Sequence, residues 1–222
     1  MARTKKVETI TKISPHTVKK FELIEKYVDE WARKILGFKG ANGLPGSKGV
    51  IYIDCMCNSG LYEVDGTIVE GTALRVAKKL NEIISNYPGK EAILIFNDLL
   101  PERVELLRSE IEKANLKNIV VSYNAGDCNV FLKGLNLCGY QQRHNTLLLY
   151  DPYNASIDWS ALKPYLNRWG EVIINHMSSD TTRGISQAKK KEVISRYEET
   201  YQRDISMLLD TDKDGLGNII LS

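Results

Sequence analysis

The stretch Ile51-Tyr-Ile-Asp-Cys-Met-Cys-Asn-Ser-Gly60 decides the fold of this chain, because it has the pattern of a buried strand that ends in an acid and a tight turn of small residues. In α/β proteins, nucleotide-like cofactors bind at such strand ends. The stretch Leu147-Leu-Leu-Tyr-Asp-Pro-Tyr153 repeats the pattern ninety residues later, with an apolar strand that ends in a polar and aromatic motif. Two strand ends of this kind in one sheet predict a shared site.

The rest of the chain alternates short apolar runs with helical patterns. The runs are rich in Ile, Val and Leu and lack polar alternation, which is typical of strands covered on both faces of a parallel sheet. We therefore predict an α/β fold with a Rossmann-like, doubly wound sheet. The predicted strands are 50–54, 92–97, 118–123, 146–150 and 171–175, and the predicted helices are 16–36, about 70–85, a helix after Pro101, 129–137 and about 159–167.

Beyond residue 175 the pattern predicts one amphipathic helix, which carries apolar residues from Val193 to Leu208. A polar turn then leads to Asn218-Ile-Ile-Leu221, which resembles the beginning of a sixth strand. Two interpretations are open: a short strand at the sheet edge, or a truncated or interrupted version of a longer chain. The domain prediction is a basic arm over 1–15, followed by one α/β domain over 16–222.

Composition excludes several classes of protein. The 222 residues carry a net charge of +2, which is not the strong field of a dedicated nucleic-acid binder, although residues 1–20 hold six Lys or Arg against one Glu. That arm can contact phosphates, but a solvated terminus is the simpler interpretation. No apolar run suggests a signal peptide or a membrane span, and the four cysteines do not suggest a disulfide framework. We expect a cytoplasmic protein without a bound metal.

The turn after Asp54 narrows the choice of cofactor. It contains Asn58 and Gly60, the residue types that best tolerate positive φ, but it does not match the G-x-G-x-x-G fingerprint of dinucleotide binding. A nicotinamide or flavin enzyme is therefore disfavoured. An acid at the end of the first strand and a short turn suit a cofactor without phosphates.

Acids follow three successive strands, at Asp54, Asp98 and Asp127. Each alone has an ordinary explanation as a loop or helix-capping residue. Together they match S-adenosylmethionine, whose amino group, ribose and adenine all donate hydrogen bonds. The predicted cofactor-binding residues are Asp54, Cys55, Asn58, Gly60, Asp98, Leu99, Asp127 and Cys128.

The motif Asp151-Pro152-Tyr153 supplies the predicted catalytic residues. A carboxylate and a nearby carbonyl can orient an NH₂ group toward the methyl sulfonium, while Tyr153 stacks on a flat acceptor. The alternative is an ordinary Asp-Pro turn after a strand. Asn175 and His176 end the fifth strand beside this motif and can line the same cleft, and no catalytic role is assigned to His176.

The order of these motifs resembles the three-Cys-motif partner family of bacteria and archaea, which has a class I methyltransferase fold. The resemblance covers roughly residues 14–176 and implies strand order 3-2-1-4-5 with an S-adenosylmethionine pocket. Relatives have a turn like Phe-Ala-Gly-Pro-Gly where this chain has Met56-Cys-Asn-Ser-Gly60, and their additional C-terminal region is missing or shortened here. The similar elements are His16-Thr17, Lys20, Tyr27, Trp31, Tyr52-Ile-Asp54, Gly60-Leu-Tyr62, Gly71-Thr-Ala-Leu74, Asp98, Pro101, Asp151-Pro-Tyr153, Trp159 and Ile174-Asn175.

Two classes of function follow from the sequence. The first is an S-adenosylmethionine-dependent methyltransferase that acts on an amine, including that of a flipped or single-stranded nucleic-acid base, with the basic arm on phosphates. The second is a methyltransferase-like partner or scaffold that has lost turnover and binds another protein. Asn58 in the cofactor turn favours the second class, and the strand-end acids favour the first.

Overall fold

The computed structural model describes residues 9–42, 44–140, 143–152, 157–175, 191–202 and 204–205. Its elements follow the predicted alternation of strands and helices. In chain order they are β1 (Thr11–Lys12), α1 (Pro15–Gly37), β2 (Gly40–Ala41), β3 (Leu44–Pro45), β4 (Gly49–Asp54), β5 (Leu61–Val64), β6 (Thr67–Glu70), α2 (Thr72–Ile84), β7 (Glu91–Asp98), α3 (Pro101–Lys113), β8 (Val120–Ala125), α4 (Cys128–Gly134), β9 (His144–Tyr150), α5 (Trp159–Leu162), β10 (Gly170–Ile174) and α6 (Lys191–Tyr201).

The main sheet has five parallel strands in the order β10-β9-β4-β7-β8. Counted along the chain, this order is 5-4-1-2-3, which is the 3-2-1-4-5 arrangement viewed from the other edge. The chain runs outward from β4 to one edge and then returns to β9 on its other side. The carboxyl ends of β4, β7 and β9 therefore meet at the switch point, where open α/β sheets bind ligands.

Strand β4 explains why the sheet is covered on both faces. All six of its residues are buried. Val50 and Tyr52 pack into a core built with α1, α2 and α3, whereas Ile51 and Ile53 pack into a second core built with α4 and α5. Because neighbouring side chains of a strand point to opposite faces, a continuous apolar run requires a layer of helices on each side. The doubly wound α/β prediction is confirmed.

A small second sheet was not predicted. Strands β5 and β6 form an antiparallel hairpin, and β1 pairs in parallel with β5. The hairpin turns at Asp65 and Gly66, with φ of 49° and 81°, as the Asp-Gly pair of a tight turn requires. Residues 11 and 12, which the sequence placed in a solvated arm, thus belong to a strand. A short hairpin, β2-β3, also lies in the predicted loop before β4.

Several predicted boundaries were displaced, including that of the helix predicted at 129–137, which ends at Gly134. The third strand begins at Val120 instead of 118, because Asn118 hydrogen-bonds Asn81 of α2 and does not join the ladder. Helix α5 ends at Leu162 and continues as a 3₁₀ turn that contains Pro164. The last helix ends at Tyr201, well before 208, and is followed by Gln202 in a left-handed conformation. The predicted sixth strand lies outside the described residues.

No described helix combines the length and the apolar character needed to cross a bilayer.

Candidate functional site

A first cavity of about 380 Å³ opens where β4, β7 and β8 end. We call it the cofactor-side cavity. It lies at the carboxyl edge of the parallel strands, beside the start of α3 and α4, so several chain segments converge on it. Its lining residues are Cys55, Met56, Asn97, Asp98, Leu99, Leu100, Arg103, Gly126, Asp127, Cys128, Asn129, Tyr150 and Pro152.

Asn97 fixes the three strand ends that surround this cavity. It is fully buried, and its Nδ2 donates to the carbonyl oxygens of Cys55 at 2.9 Å and Gly126 at 3.1 Å. Its Oδ1 accepts from Asn124 Nδ2 at 2.6 Å, and its backbone carbonyl accepts from the Cys57 N–H. The Asn97 side chain thus satisfies buried polar groups at the ends of β4 and β8 and fixes the relative positions of these strand ends.

Asp98 stabilises the turn as well as facing the cavity. Its carboxylate accepts from the backbone N–H of Asn58 and of Leu100, both at 3.0 Å. Arg103 lies 3.9 Å away, and the side chain of Asp98 is only 5% exposed. A carboxylate has about four lone-pair positions, so two remain available after these two bonds.

The turn after β4 lies beneath the cavity. Asn58 has φ of 55° and is completely buried, and its Nδ2 donates to Thr11 Oγ1 at 3.2 Å while its Oδ1 accepts from the Ser59 N–H. The side chain is therefore directed toward β1 and not into either cavity. Gly60 also has positive φ, at 73°, and a Cβ there would lie 2.6 Å from Leu107. Asn58 and Gly60 thus both adopt the positive φ that their residue types predicted.

Asp54 is buried at the end of β4, where its Oδ1 accepts from the Met56 N–H. The pKa of this carboxyl is raised to about 7, mainly by burial. The carboxylates of Asp151 and Asp98 also raise the pKa, whereas the Met56 N–H and Lys20 lower it. Asp54 therefore exchanges its proton near neutral pH.

The Cys55 thiol lines the cofactor-side cavity but is not a nucleophile. Burial, together with the adjacent Cys128 thiol, raises the pKa of Cys55 well above its ordinary value. A neutral thiol is a weak nucleophile, so covalent catalysis by this cysteine is disfavoured.

A second cavity of about 480 Å³ adjoins the first, and we call it the acceptor-side cavity. Asp151 is its central charged group: Oδ2 accepts from Lys20 Nζ at 2.6 Å, and Oδ1 accepts from Asn175 Nδ2 at 2.6 Å. Phe21 and Tyr62 form an aromatic pair in the lining, with their ring centroids 4.9 Å apart. The full lining is Thr11, Lys12, Ile13, His16, Thr17, Lys20, Phe21, Met56, Tyr62, Asp151, Pro152 and Asn175.

Met56 and Pro152 line both cavities. They follow β4 and β9, the two central strands that are paired at the switch point. The two cavities therefore share lining residues at the ends of two strands that are paired in the sheet. We call Met56 and Pro152 the partition, because they are the lining residues that the two cavities share.

The residues named in the sequence analysis fall into five groups. Cys55, Asp98, Leu99, Asp127 and Cys128 line the cofactor-side cavity. Asp54, Asn58 and Gly60 line neither cavity and support the turn. Asp151 lines the acceptor-side cavity, and Pro152 lines both. Tyr153 and His176 lie outside the described residues.

Sequence reasoning missed several residues of this site. Arg103 and Asn97 border the cofactor-side cavity, and Lys20 and the Phe21–Tyr62 pair border the acceptor-side cavity. Asn175 lines the same cavity as Asp151, as its place at the end of the fifth strand predicted. Lys20 was quoted only as a motif residue, and its contact with Asp151 has no local signal. Among the described residues no group of three His, Cys, Asp or Glu side chains is arranged to hold a metal ion.

Comparison with known proteins gives only distant similarities. No protein-family model and no curated protein matches the chain. A structure of WbdD with an ordered C-terminal bundle is similar over 67% of this chain and 21% of its own, with 14% identity and a TM-score of 0.37. PKMT2 from Rickettsia typhi is similar at 13% identity over 88% of this chain and 38% of its own, with a TM-score of 0.37.

The complex of the same Rickettsia typhi protein with AdoHcy gives 13% identity, 90% and 37% coverage and a TM-score of 0.38. The chain thus spans well under half the length of these structures. TM-scores this low carry no inference about function, and the resemblance to three-Cys-motif partner proteins stays a prediction from the motifs.

Proposed function

We propose that the protein binds S-adenosylmethionine in the cofactor-side cavity and transfers its methyl group to an amine held at Asp151. One observation carries this proposal: Met56 and Pro152 line both cavities, at the switch point of the sheet. A methyl transferase needs a cofactor site and an acceptor site whose reacting atoms can approach in line. Two cavities that share lining residues at the switch point support such an arrangement.

The cofactor-side cavity has the chemistry that this cofactor needs. Its volume lies within the range of small-molecule sites, roughly 300 to 1,000 Å³. Asp98 keeps two acceptor positions for ribose hydroxyls, and Asp127 offers a carboxylate that already accepts from the Val130 N–H.

The acceptor-side cavity has the chemistry of an amine site. Each Asp151 oxygen makes one hydrogen bond and keeps a second lone pair, so the carboxylate can still accept from an incoming N–H. Little acid-base catalysis is needed, because the sulfonium is already a strong methyl donor. The aromatic wall of Phe21 and Tyr62 suits a flat acceptor, and the exocyclic amine of a nucleic-acid base is one of that kind.

The second candidate is a scaffold that binds a protein partner and has lost turnover. The observation that favours it is the turn at Asn58, which is buried under Thr11 of β1 instead of presenting its backbone to the cofactor-side cavity. This candidate predicts that the cavity holds no cofactor.

Calorimetry with S-adenosylmethionine and S-adenosylhomocysteine separates the two candidates. We expect dissociation constants on the order of micromolar for the methyltransferase. Gly126→Leu should abolish binding, because Gly126 lines the cavity and a Cβ there meets only Asn124 Nδ2 at 3.8 Å, so the new side chain fills space without a local clash.

Gly134→Leu is the matched control, since nothing lies within 4 Å of its Cβ and it lines neither cavity. The proposal is abandoned if neither ligand binds at roughly millimolar concentration. Transfer of labelled methyl to nucleic-acid and protein pools then tests the acceptor. Asp151→Asn should reduce that transfer by about 100-fold or more, because the acceptor amine loses a charged partner.

A further inference from the structure

One amine in the acceptor-side cavity belongs to the protein itself. Lys20 Nζ donates to Asp151 Oδ2 at 2.6 Å and lies 5.9 Å from the centroid of the Phe21 ring. Its side chain is 29% exposed, so most of it is held within the acceptor-side cavity. The position that the proposed function gives to an acceptor amine is thus occupied by a primary amine on α1.

Lys20 differs in this respect from the other lysine that lines the cavity. Lys12 has a side chain that is 69% exposed and lies 3.3 Å from Glu63, a residue outside the cavity lining. Lys20 is instead held between Asp151 and an aromatic face, and it shares the cavity with Met56 and Pro152. Among the lysines of the described lining, Lys20 is therefore the one held beside the partition.

We propose that Lys20 is a site of self-methylation: Asp151 presents the Lys20 amine through the partition to S-adenosylmethionine bound in the neighbouring cavity. This inference rests on the proposed function. It adds a product, a methylated Lys20, that an enzyme acting only on a separate acceptor would not form.

The reaction balances without a further reagent. The Lys20 ammonium first loses a proton, and its nitrogen lone pair then forms a bond to the methyl carbon. The carbon–sulfur bond breaks with its electron pair going to sulfur, which leaves as the neutral thioether of S-adenosylhomocysteine. Asp151, whose Oδ2 accepts from Lys20 Nζ at 2.6 Å and whose side chain is 26% exposed, receives the proton and releases it to solvent.

The product is compatible with the surrounding structure. Monomethyl-lysine keeps its positive charge and two N–H donors, so the ion pair with Asp151 can persist. An aromatic face beside a carboxylate is also favourable for a methylated ammonium. Modification therefore changes the occupant of the acceptor-side cavity without removing the charge that balances Asp151.

The test is mass spectrometry of the full chain after incubation with S-adenosylmethionine that carries a deuterated methyl group. We expect an added labelled methyl, and peptide mapping should place it on Lys20. Lys20→Arg keeps a cation beside Asp151 and should remove the label. Lys19→Arg, at the exposed neighbouring position, should leave labelling unchanged.

Calorimetry on the same samples distinguishes the two ways of failing. Cofactor binding without label on Lys20, or label on another residue, overturns self-methylation and leaves the proposed function standing. Absence of cofactor binding overturns both. Because mapping of the unmodified sequence identifies the labelled residue directly, the result does not depend on whether the Lys20→Arg variant folds.

Discussion

Asp98→Asn is expected to destabilise the protein, because the Asp98 carboxylate joins the cofactor turn to the start of α3. The charged side chain accepts from two backbone N–H groups at 3.0 Å, and an Asn side chain offers only one oxygen. One bond to a charged acceptor is lost, at about 1.5 to 3 kcal/mol, and the other becomes a neutral bond that contributes about 1 kcal/mol less. The expected loss of unfolding free energy is about 2 to 4 kcal/mol.

Arg103 adds to this cost. Its guanidinium lies 3.9 Å from Asp98 and its side chain is only 15% exposed, so the substitution leaves it without that counter-ion. Urea denaturation followed by tryptophan fluorescence measures the effect. With a slope of about 2 kcal/mol per molar urea, the midpoint should fall by roughly 1 to 2 M.

The matched control is Glu102→Gln, which removes an exposed carboxylate from the first turn of α3. Its midpoint should change by the equivalent of about 0.5 kcal/mol or less. Equal midpoints for Asp98→Asn and Glu102→Gln would refute the reasoning, because they would mean that the bonds to Asn58 and Leu100 contribute nothing to stability.

Three other substitutions test the same region. Asp54 has a folded pKa of about 7 against an ordinary value of 3.8, so its stabilising contribution is full below about pH 4 and is lost as pH rises through about 7. Relative to Asp54→Asn, the wild-type unfolding free energy should fall by about 4 kcal/mol between about pH 4 and about pH 8. Asn58→Gly should be about 1 kcal/mol more stable than Asn58→Ala, since φ is 55°. Gly71→Ala should cost about 1 to 3 kcal/mol, because its Cβ would lie 2.2 Å from the Tyr62 ring.

Denaturant titrations at each pH supply all three measurements. If the unfolding free energies of the wild type and of Asp54→Asn change with pH in the same way, the raised pKa of Asp54 is contradicted. If Asn58→Ala is as stable as Asn58→Gly, the argument that positive φ at residue 58 strains an Ala side chain is contradicted. For Gly71, the control is Gly37→Ala, where nothing lies within 4 Å of the new Cβ and stability should change by less than about 1 kcal/mol.

The main sheet was predictable because its signal is local. An apolar run such as Val50-Ile-Tyr-Ile53 fits only a strand with helices on both faces, and each of its residues is indeed buried. The positive φ of Asn58 and Gly60 followed equally from residue type. The β5–β6 hairpin also had a local signal in Asp65-Gly66, which the sequence analysis did not use.

The remaining features depend on contacts between distant parts of the chain. Lys20 and Asp151 are 131 positions apart, and neither has a neighbour that indicates the other. Strand β1 has two residues and pairs through its backbone, so its side chains carry no pattern. For the same reason, the sequence did not show that Asn58 turns its side chain to Thr11 and away from the cavities.

The length of β1 has a consequence for how molecules reach the acceptor-side cavity. Thr11, Lys12 and Ile13 form part of its lining, yet they are held to β5 by a two-residue ladder and the Ile13 N–H bond to the Glu63 carbonyl. Such a segment opens locally at a far lower free energy than the five-stranded sheet unfolds. We expect the Ile13 amide to exchange its hydrogen much faster than the amides of β4. The side of the cavity formed by β1 would then open to solvent more often than the side formed by the strand ends.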